Sequence, residues 1–338
     1  MTTPVRLLLF VLLTVLLLGS ATAFVLDSRS DQDAPATQRL GGDAALDAVL
    51  REPHVLFRNT DRGSGYGLVA AVPLSDPTGP RVYTDQRCDR IYATSREAVC
   101  LRARQGVTRS FEAEILDAGW NVSRRWPLPG VPSRARVSPD GSLVASTVFV
   151  TGHSYLSTGF STQTQLRHPD GRIFAELEQF ALTLDGQRVR PRDRNVWGVT
   201  FAEDGRTFYA TVATGGRTWL VRGDLQKRTL TSVRRNAECP SLSPDGSRIA
   251  YKKRLADTDT GGGAWVLAVL DLRRGRETVL PATRGLDDQV EWLDNQVLLY
   301  GLPRGDAGGT SDVWAVRAEE AARPDLFIAQ AWSPTVVR

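Results

Sequence analysis

A nucleophilic hydrolase, a zinc enzyme and a calcium loop each need particular side chains at recognisable spacings, and this sequence has a complete set for none of the three. The Gly-x-Ser-x-Gly turn that presents a hydrolase serine is absent. The histidines are three, His54, His153 and His168, far apart along the chain. With no His-x-x-x-His or Cys-x-x-Cys pair, no zinc site is expected. His153 lies in the polar loop "TGHSYLSTGFSTQTQ" after a strand and reads as a surface residue rather than a base. In "LADTDTGGGAW" (255–265), Asp257 and Asp259 stand two apart, as in a calcium loop, but the further carboxylates and late Glu are missing. A hairpin connection is the better reading, and "GDAGGTSD" at 305–312 occupies the equivalent slot later in the chain. No catalytic, cofactor-binding or metal-ligating residue is assigned, and no cofactor is expected.

The residues that do recur are turn residues. Ser138-Pro139-Asp140-Gly141 and Ser243-Pro244-Asp245-Gly246 each follow one alternating apolar segment and precede another. Proline presets φ, the Asp carboxylate bonds back to nearby backbone, and glycine takes the left-handed conformation that returns the chain, so each marks a strand-turn-strand. "GVTFAEDGRTFYATV" (198–212) keeps the pattern with Asp204-Gly205 at the turn. "VEWLDNQVLLYG" (290–301) uses Asp294-Asn295, Asn being the other residue that tolerates the left-handed region. A fifth copy is "RIYATSREAVCLRA" (90–103).

A second hairpin follows each copy, giving four strands per repeat of roughly 40 to 60 residues, the signature of propeller blades. No sustained 3.6-residue periodicity supplies the helices that a doubly wound α/β fold requires. The fold class read from the sequence is all-β: a six-bladed β-propeller, four antiparallel strands per blade, over residues 53–338. Blades two to six run approximately 86–130, 131–193, 194–236, 237–284 and 285–328. Residues 54–85 then hold three strands without a first one. The tail "AWSPTVVR" is expected to supply it, with Trp332-Ser333-Pro334 in the slot that Leu242-Ser243-Pro244 fills elsewhere. Such closure ties first and last blades together and leaves no open edge to aggregate.

The Ser-Pro-Asp-Gly element before a short apolar strand resembles the repeat of the TolB-type β-propellers, the PD40 or WD40-like Asp-Pro-Asp-Gly repeat. Ser138–Gly141 and Ser243–Gly246 match it closely. The resemblance implies a six-bladed propeller outside the cytoplasm that serves as a scaffold for other proteins. The separate N-terminal α/β domain of TolB itself has no counterpart in the sequence, which argues against a Tol-Pal role. Propellers with this repeat also occur attached to serine peptidases, but no room remains here for a hydrolase domain. The expected function is non-enzymatic protein or ligand binding at the mouth of the central channel. The alternative is a metal-dependent lactonase-like hydrolase or a lyase, whose axial metal is held by carboxylates and Asn from different blades.

What precedes the repeats sets the compartment. After Arg6, the stretch "LLLFVLLTVLLLGSATAFVL" carries no charge until Asp27. Its core has the length of a signal-peptide h-region, and Ala21-Thr22-Ala23 has the small-x-small form that would put cleavage between Ala23 and Phe24. Leu7–Leu26 is also 20 residues, about the ~20 that span a bilayer, so an uncleaved anchor remains open. Residues 1–26 are thus a signal peptide or membrane anchor, and 27–52 a polar tether with at most a weak helix around Asp43–Leu50. Membrane contact is expected through the N-terminal segment alone, with an envelope or extracellular protein as partner and the chain a monomer.

A net charge of +4 and pI near 9.1 could point to nucleic acid, but the charges are scattered and no basic run stands out, so no nucleic-acid partner is expected. Arginine outnumbers lysine 39 to 3, the codon bias of a GC-rich genome such as an actinobacterial one. Outside the cytoplasm, Cys88, Cys100 and Cys239 meet oxidising conditions. Cys88 and Cys100 flank "CDRIYATSREAVC" and could form a disulfide, although the turn alignment sets them on opposite strand faces. Cys239 is expected to be a small buried residue. Trp197, Trp265, Trp292 and Trp314 fall in strand patterns, where packing between blades is their ordinary use.

Overall fold

The computed structural model describes residues 42–106, 108–150, 161–255, 264–305 and 309–338. Six sheets form the blades of a propeller, and the first strands of neighbouring blades pack on one another around a central axis. Blade 1 comprises Ala331–Val337, His54–Asn59, Leu68–Pro73 and Val82–Arg87. Blades 2, 3, 5 and 6 span 90–128, 131–176, 238–280 and 291–328, four antiparallel strands each. The middle strands are buried on both faces, as in Val144–Val150 and Leu68–Pro73, because every blade is sandwiched between two others. Only outer strands such as Thr229–Arg235 alternate buried and exposed residues.

The ring closes as the sequence suggested. Ala331–Val337 runs antiparallel to His54–Asn59, with His54 opposite Val337 and Asn59 opposite Ala331. The seam is fastened further by the Thr60 hydroxyl, which donates to the Ser311 carbonyl at 3.0 Å, and by Arg81, which donates to the Ala329 carbonyl at 2.8 Å. The helix Asp43–Leu50 is present and docked: Leu46 is 1% exposed, in one apolar cluster with Leu56, Val69, Cys100 and Trp120. The last residues of the expected tether therefore belong to the folded unit.

Blade 4 departs from the four-strand expectation. After blade 3 ends at Glu176, a 3₁₀ turn at Leu177–Gln179 leads into the hairpin Ala181–Leu184/Gln187–Val189. The sequence boundaries, 131–193, place this hairpin within blade 3. Instead it adds to the outer edge of blade 4, with Ala181–Thr183 parallel to Thr229–Thr231, making a sheet of six strands. The Asp185 carboxylate in its turn binds Arg235 at 2.7 Å and accepts from the Trp219 indole at 3.3 Å, which anchors the hairpin to that blade. At the junction, both carboxylate oxygens of Glu178 accept the Thr164 N–H at 3.0 Å. Desolvation raises Glu178 to about 7 despite these bonds.

Cys88 and Cys100 are joined in a disulfide, Cα to Cα 5.4 Å. Face parity does not forbid it, because Cys88 lies in the link between Val82–Arg87 and Arg90–Ala93 rather than in a strand. The link folds back, its Asp89 N–H donating to the Leu101 carbonyl, and this carries Cys88 to Cys100. Cys239 remains a buried free thiol. Trp120 and Trp126 are each 6% exposed and packed in the apolar clusters of blades 1–2 and 2–3.

Two measurements check this account. Replacing Cys88 and Cys100 by Ser lowers unfolding free energy by about 3 kcal/mol, read by denaturant titration. For Glu178, the folded state keeps a proton that the unfolded chain releases near 4.5, so stability falls as pH rises from about 4.5 to about 7. Glu178→Gln removes that portion of the pH slope.

Candidate functional site: a plugged axial channel and its turn-side mouth

The first strands of blades 1, 4 and 5 share an irregularity that the turn pattern did not reveal. Register slips between Arg58 and Leu56 opposite Trp332 and Thr335, between Trp197 and Thr200, and between Glu238 and Ser241. At each slip one residue has positive φ: Ser333 (53°), Gly198 (66°) and Cys239 (51°). These are β-bulges, which bend a strand and re-aim the side chains after it. Ser333-Pro334 therefore corresponds to Cys239-Pro240, not to Ser243-Pro244 as the sequence alignment had it. A Cβ on Gly198 would meet the Cys239 Cα at 2.7 Å, so the two backbones approach more closely there than any side chain allows.

One layer past the bulges lie Tyr92, Arg136, Ser241 and Glu291, from four different blades. Arg136 crosses the axis: its guanidinium pairs with Glu291 at 3.0 Å, donates to the Val290 carbonyl at 3.0 Å and the Ser241 hydroxyl at 3.4 Å, and lies over the Tyr92 ring at 4.3 Å. Arg136 and Glu291 are 7% and 8% exposed. A second layer, toward the opposite mouth, holds Arg90 and Arg134 around Asp288, at 3.4 and 3.7 Å, with Arg90 over the Trp332 ring. Beyond it, buried Lys252 pairs with Asp287 at 2.6 Å and lies over Trp265.

Such burial of charge needs a compensating partner for every ion. Desolvation raises the Glu291 carboxyl while Arg136 opposes it. Burial, with Glu291 adding to it, pushes Tyr92 up to about 12, so its hydroxyl stays a neutral donor. Desolvation lowers Arg90, with Asp288 acting against it. The axis is thus a stack of guanidinium-carboxylate and cation-π contacts that ties the blades to one another.

Above the Arg136 layer the turns enclose a cavity of about 480 Å³. Of the turn residues singled out in the sequence, Pro139, Asp204, Ser243, Pro244, Asp245 and Gly246 line it. Ser138, Asp140, Gly141 and Gly205 complete the same turns, and Asp294 and Asn295 form the corresponding turn of blade 6. In both Ser-Pro-Asp-Gly copies the Ser hydroxyl donates to the Asp Oδ1 at 2.6 Å and accepts the N–H five residues on. Gly141, Gly205 and Gly246 have φ of 73°, 62° and 67°, as the turns demand. Asn295 does not adopt the left-handed region expected of it. Its turn is one residue shorter, Leu293 N–H reaching the Val297 carbonyl, and its side chain instead accepts the Asp245 N–H at 3.0 Å, linking blades 6 and 5.

Among the described residues no cluster of three His, Cys, Asp or Glu could hold a metal ion. His54 is buried, its Nδ1 against the Glu52 carbonyl, and His168 packs edge-on to Phe174, so the two do not meet in one site. Ala23, Phe24, His153, Asp257 and Asp259 lie outside the described residues; among those described, no helix is long and apolar enough to cross a membrane.

No family model matches the chain, and no curated protein matches it in sequence. Solved structures do. TolB from Acinetobacter baumannii superimposes with TM-score 0.59 at 14% identity, over 87% of this chain and 69% of that one. A chain of the nidogen/laminin complex gives 0.55 at 12%, over 84% and 98%. A putative 6-phosphogluconolactonase from Bacteroides fragilis gives 0.50 at 11%, over 85% and 98%. At these identities the likeness is one of fold alone, the β-propeller shared with TolB.

The axial pair can be tested directly. Arg136→Ala leaves Glu291 buried without its cation and costs about 3–5 kcal/mol, whereas Arg136→Met combined with Glu291→Leu loses much less. Denaturant unfolding of the two variants measures the difference.

Proposed function

We propose that this chain is a non-enzymatic binding scaffold of the cell envelope, monomeric, which takes a protein or ligand in the turn-side mouth of its axial channel. The observation that carries the reading is the state of the axis. An axial enzyme of the lactonase or lyase kind needs free carboxylates or Asn converging from several blades. Here the converging positions hold Arg, Tyr and Ser, and the carboxylates of the stack are each engaged by a cation: Glu291 by Arg136, Asp288 by Arg90 and Arg134, and Asp287 by Lys252. A polar cavity of about 480 Å³ remains in front of that plug, large enough for part of a partner. The Cys88–Cys100 disulfide supports an oxidising compartment, in keeping with the apolar leader at Leu7–Leu26.

The test combines capture with metal analysis. Ala202, in the wall of the mouth, is replaced by Trp to fill the cavity. Cross-linking in envelope extracts is expected to recover a partner with the native chain and to lose it with Ala202→Trp at unchanged melting temperature. A stoichiometric divalent ion in the purified protein, or a partner retained by the filled variant, overturns the reading.

A further inference from the structure

The seam that closes the ring ends on an ionisable group. His54 is the first residue of the strand His54–Asn59, and its backbone is paired on both sides, to Val337 of the closing tail and to Pro73. The residue is 4% exposed, and its Nδ1 lies 2.7 Å from the Glu52 carbonyl, in the link from the helix Asp43–Leu50. Helix, first strand and tail therefore meet at this imidazole.

His54 also lines a cavity of about 230 Å³ at the join of blades 1 and 2. Six charged groups share that wall: Arg51 and Glu52 from the link, Arg96 and Glu97 from the turn 93–98, Asp117 from the last turn of blade 2, and Arg338 from the tail. Positive and negative are equal in number, and none of their side chains bonds the ring, whose one hydrogen-bond partner among the described residues is the Glu52 carbonyl. Arg96 donates to the Asp140 carbonyl and Arg338 to the Leu293 carbonyl. The Asp117 Oδ1 accepts the N–H groups of Gly119 and Asn121, and burial moves Glu97 toward its neutral form. A second proton on His54 has no carboxylate assigned to it.

We infer that His54 is an acid-sensitive latch on the closed ring: when its imidazole takes a second proton, the His54–Val337 end of the seam separates so that the charged ring reaches water. This pair is the terminal one, so it frays while Arg58–Trp332 and Asn59–Ala331 hold the other end. Val336, Val337 and Arg338 also wall the turn-side mouth, and fraying removes one side of it. That consequence for binding, but not the latch, rests on the reading of the mouth as the binding site.

Burial, opposed in part by the Glu52 carbonyl, holds the closed-state imidazole below the 6.5 of a free one. The frayed state takes the proton first, so closure is strongest above 6.5 and weakens as pH falls below it. Glu178 acts with the opposite sign, weakening the fold as pH rises, and the Glu178→Gln background separates the two.

Hydrogen exchange of the full chain, read by mass spectrometry and corrected for intrinsic rates, is compared at about pH 7.5 and about pH 5.5, on either side of the histidine range. Protection is expected to be lost at the lower pH in 54–59 and 331–338 and kept in 207–224 of blade 4. His54→Asn, whose amide can donate to the Glu52 carbonyl but takes no charge, is expected to keep the seam closed at both values. His54→Phe, apolar and of similar shape, is expected to behave alike. Equal loss across all blades, a pH response that survives in both variants, or a larger loss in Glu97→Gln, the mark of a counter-ion removed, overturns the latch. With the exchange response present, partner capture indifferent to pH overturns the link to the mouth alone; if Ala202→Trp leaves capture intact, it is the reading of the mouth that fails.

Discussion

A circle of sheets exists only if its beginning and end find each other, and here one antiparallel pairing does that work. Ala331–Val337 supplies the axial strand of a blade whose other three strands come from the first ordered stretch of sheet. Without it Val55 and Phe57, both fully buried, would face water, and blades 1 and 6 would lose their common core of Phe57, Leu299, Val313 and Ile328. Every other blade repeats a local motif. Apart from the parallel pairing of Ala181–Thr183 with Thr229–Thr231 in blade 4, strands pair with close neighbours in sequence; the seam joins the two ends of the folded unit, and the axis acquires its shape because it forms.

Closing six sheets about an axis forces their first strands together, and the molecule meets the crowding in two ways. Bulges at Gly198, Cys239 and Ser333 let backbones approach and turn the following residues inward. The axial space is then filled with arginines from the first strands of blades 2 and 3, Arg90, Arg134 and Arg136, each reaching across to acidic residues at the start of blade 6. Planar, many-donor groups suit this geometry: Arg136 alone satisfies a carboxylate, a carbonyl and a hydroxyl while stacking on an aromatic ring. The plug leaves one mouth as a polar bowl framed by the recurring turns.

The architecture was legible because its punctuation is local. Pro139-Asp140-Gly141 and Pro244-Asp245-Gly246 act through bonds within five residues, so their meaning survives without tertiary context. Where context decides, the sequence was silent or misleading. Nothing within Ala181–Val189 says that the hairpin joins the following blade; the ion pair of Asp185 with Arg235, fifty residues on, does. The alternation rule misjudged Cys88 because it presumes a residue in a paired strand. Asn295 was assigned by its tolerance for left-handed backbone, whereas a turn shortened by one residue needs none. The axial constellation is the extreme case: Tyr92, Arg136, Ser241 and Glu291 share no motif, and only the ring brings them together. A hint did exist in Cys239-Pro240 and Ser333-Pro334, a shared pair that marks the bulge rather than the turn.

The seam also orders events in time. The strand that completes blade 1 is synthesised after the strands of the other five blades, while its partner at His54 is made before them. Until then the assembling blades have a raw flank and nothing to press it against. The Cys88–Cys100 link needs only twelve residues of chain and can be made long before, so the earliest complete blade is already stapled to its neighbour while the ring waits for its tail.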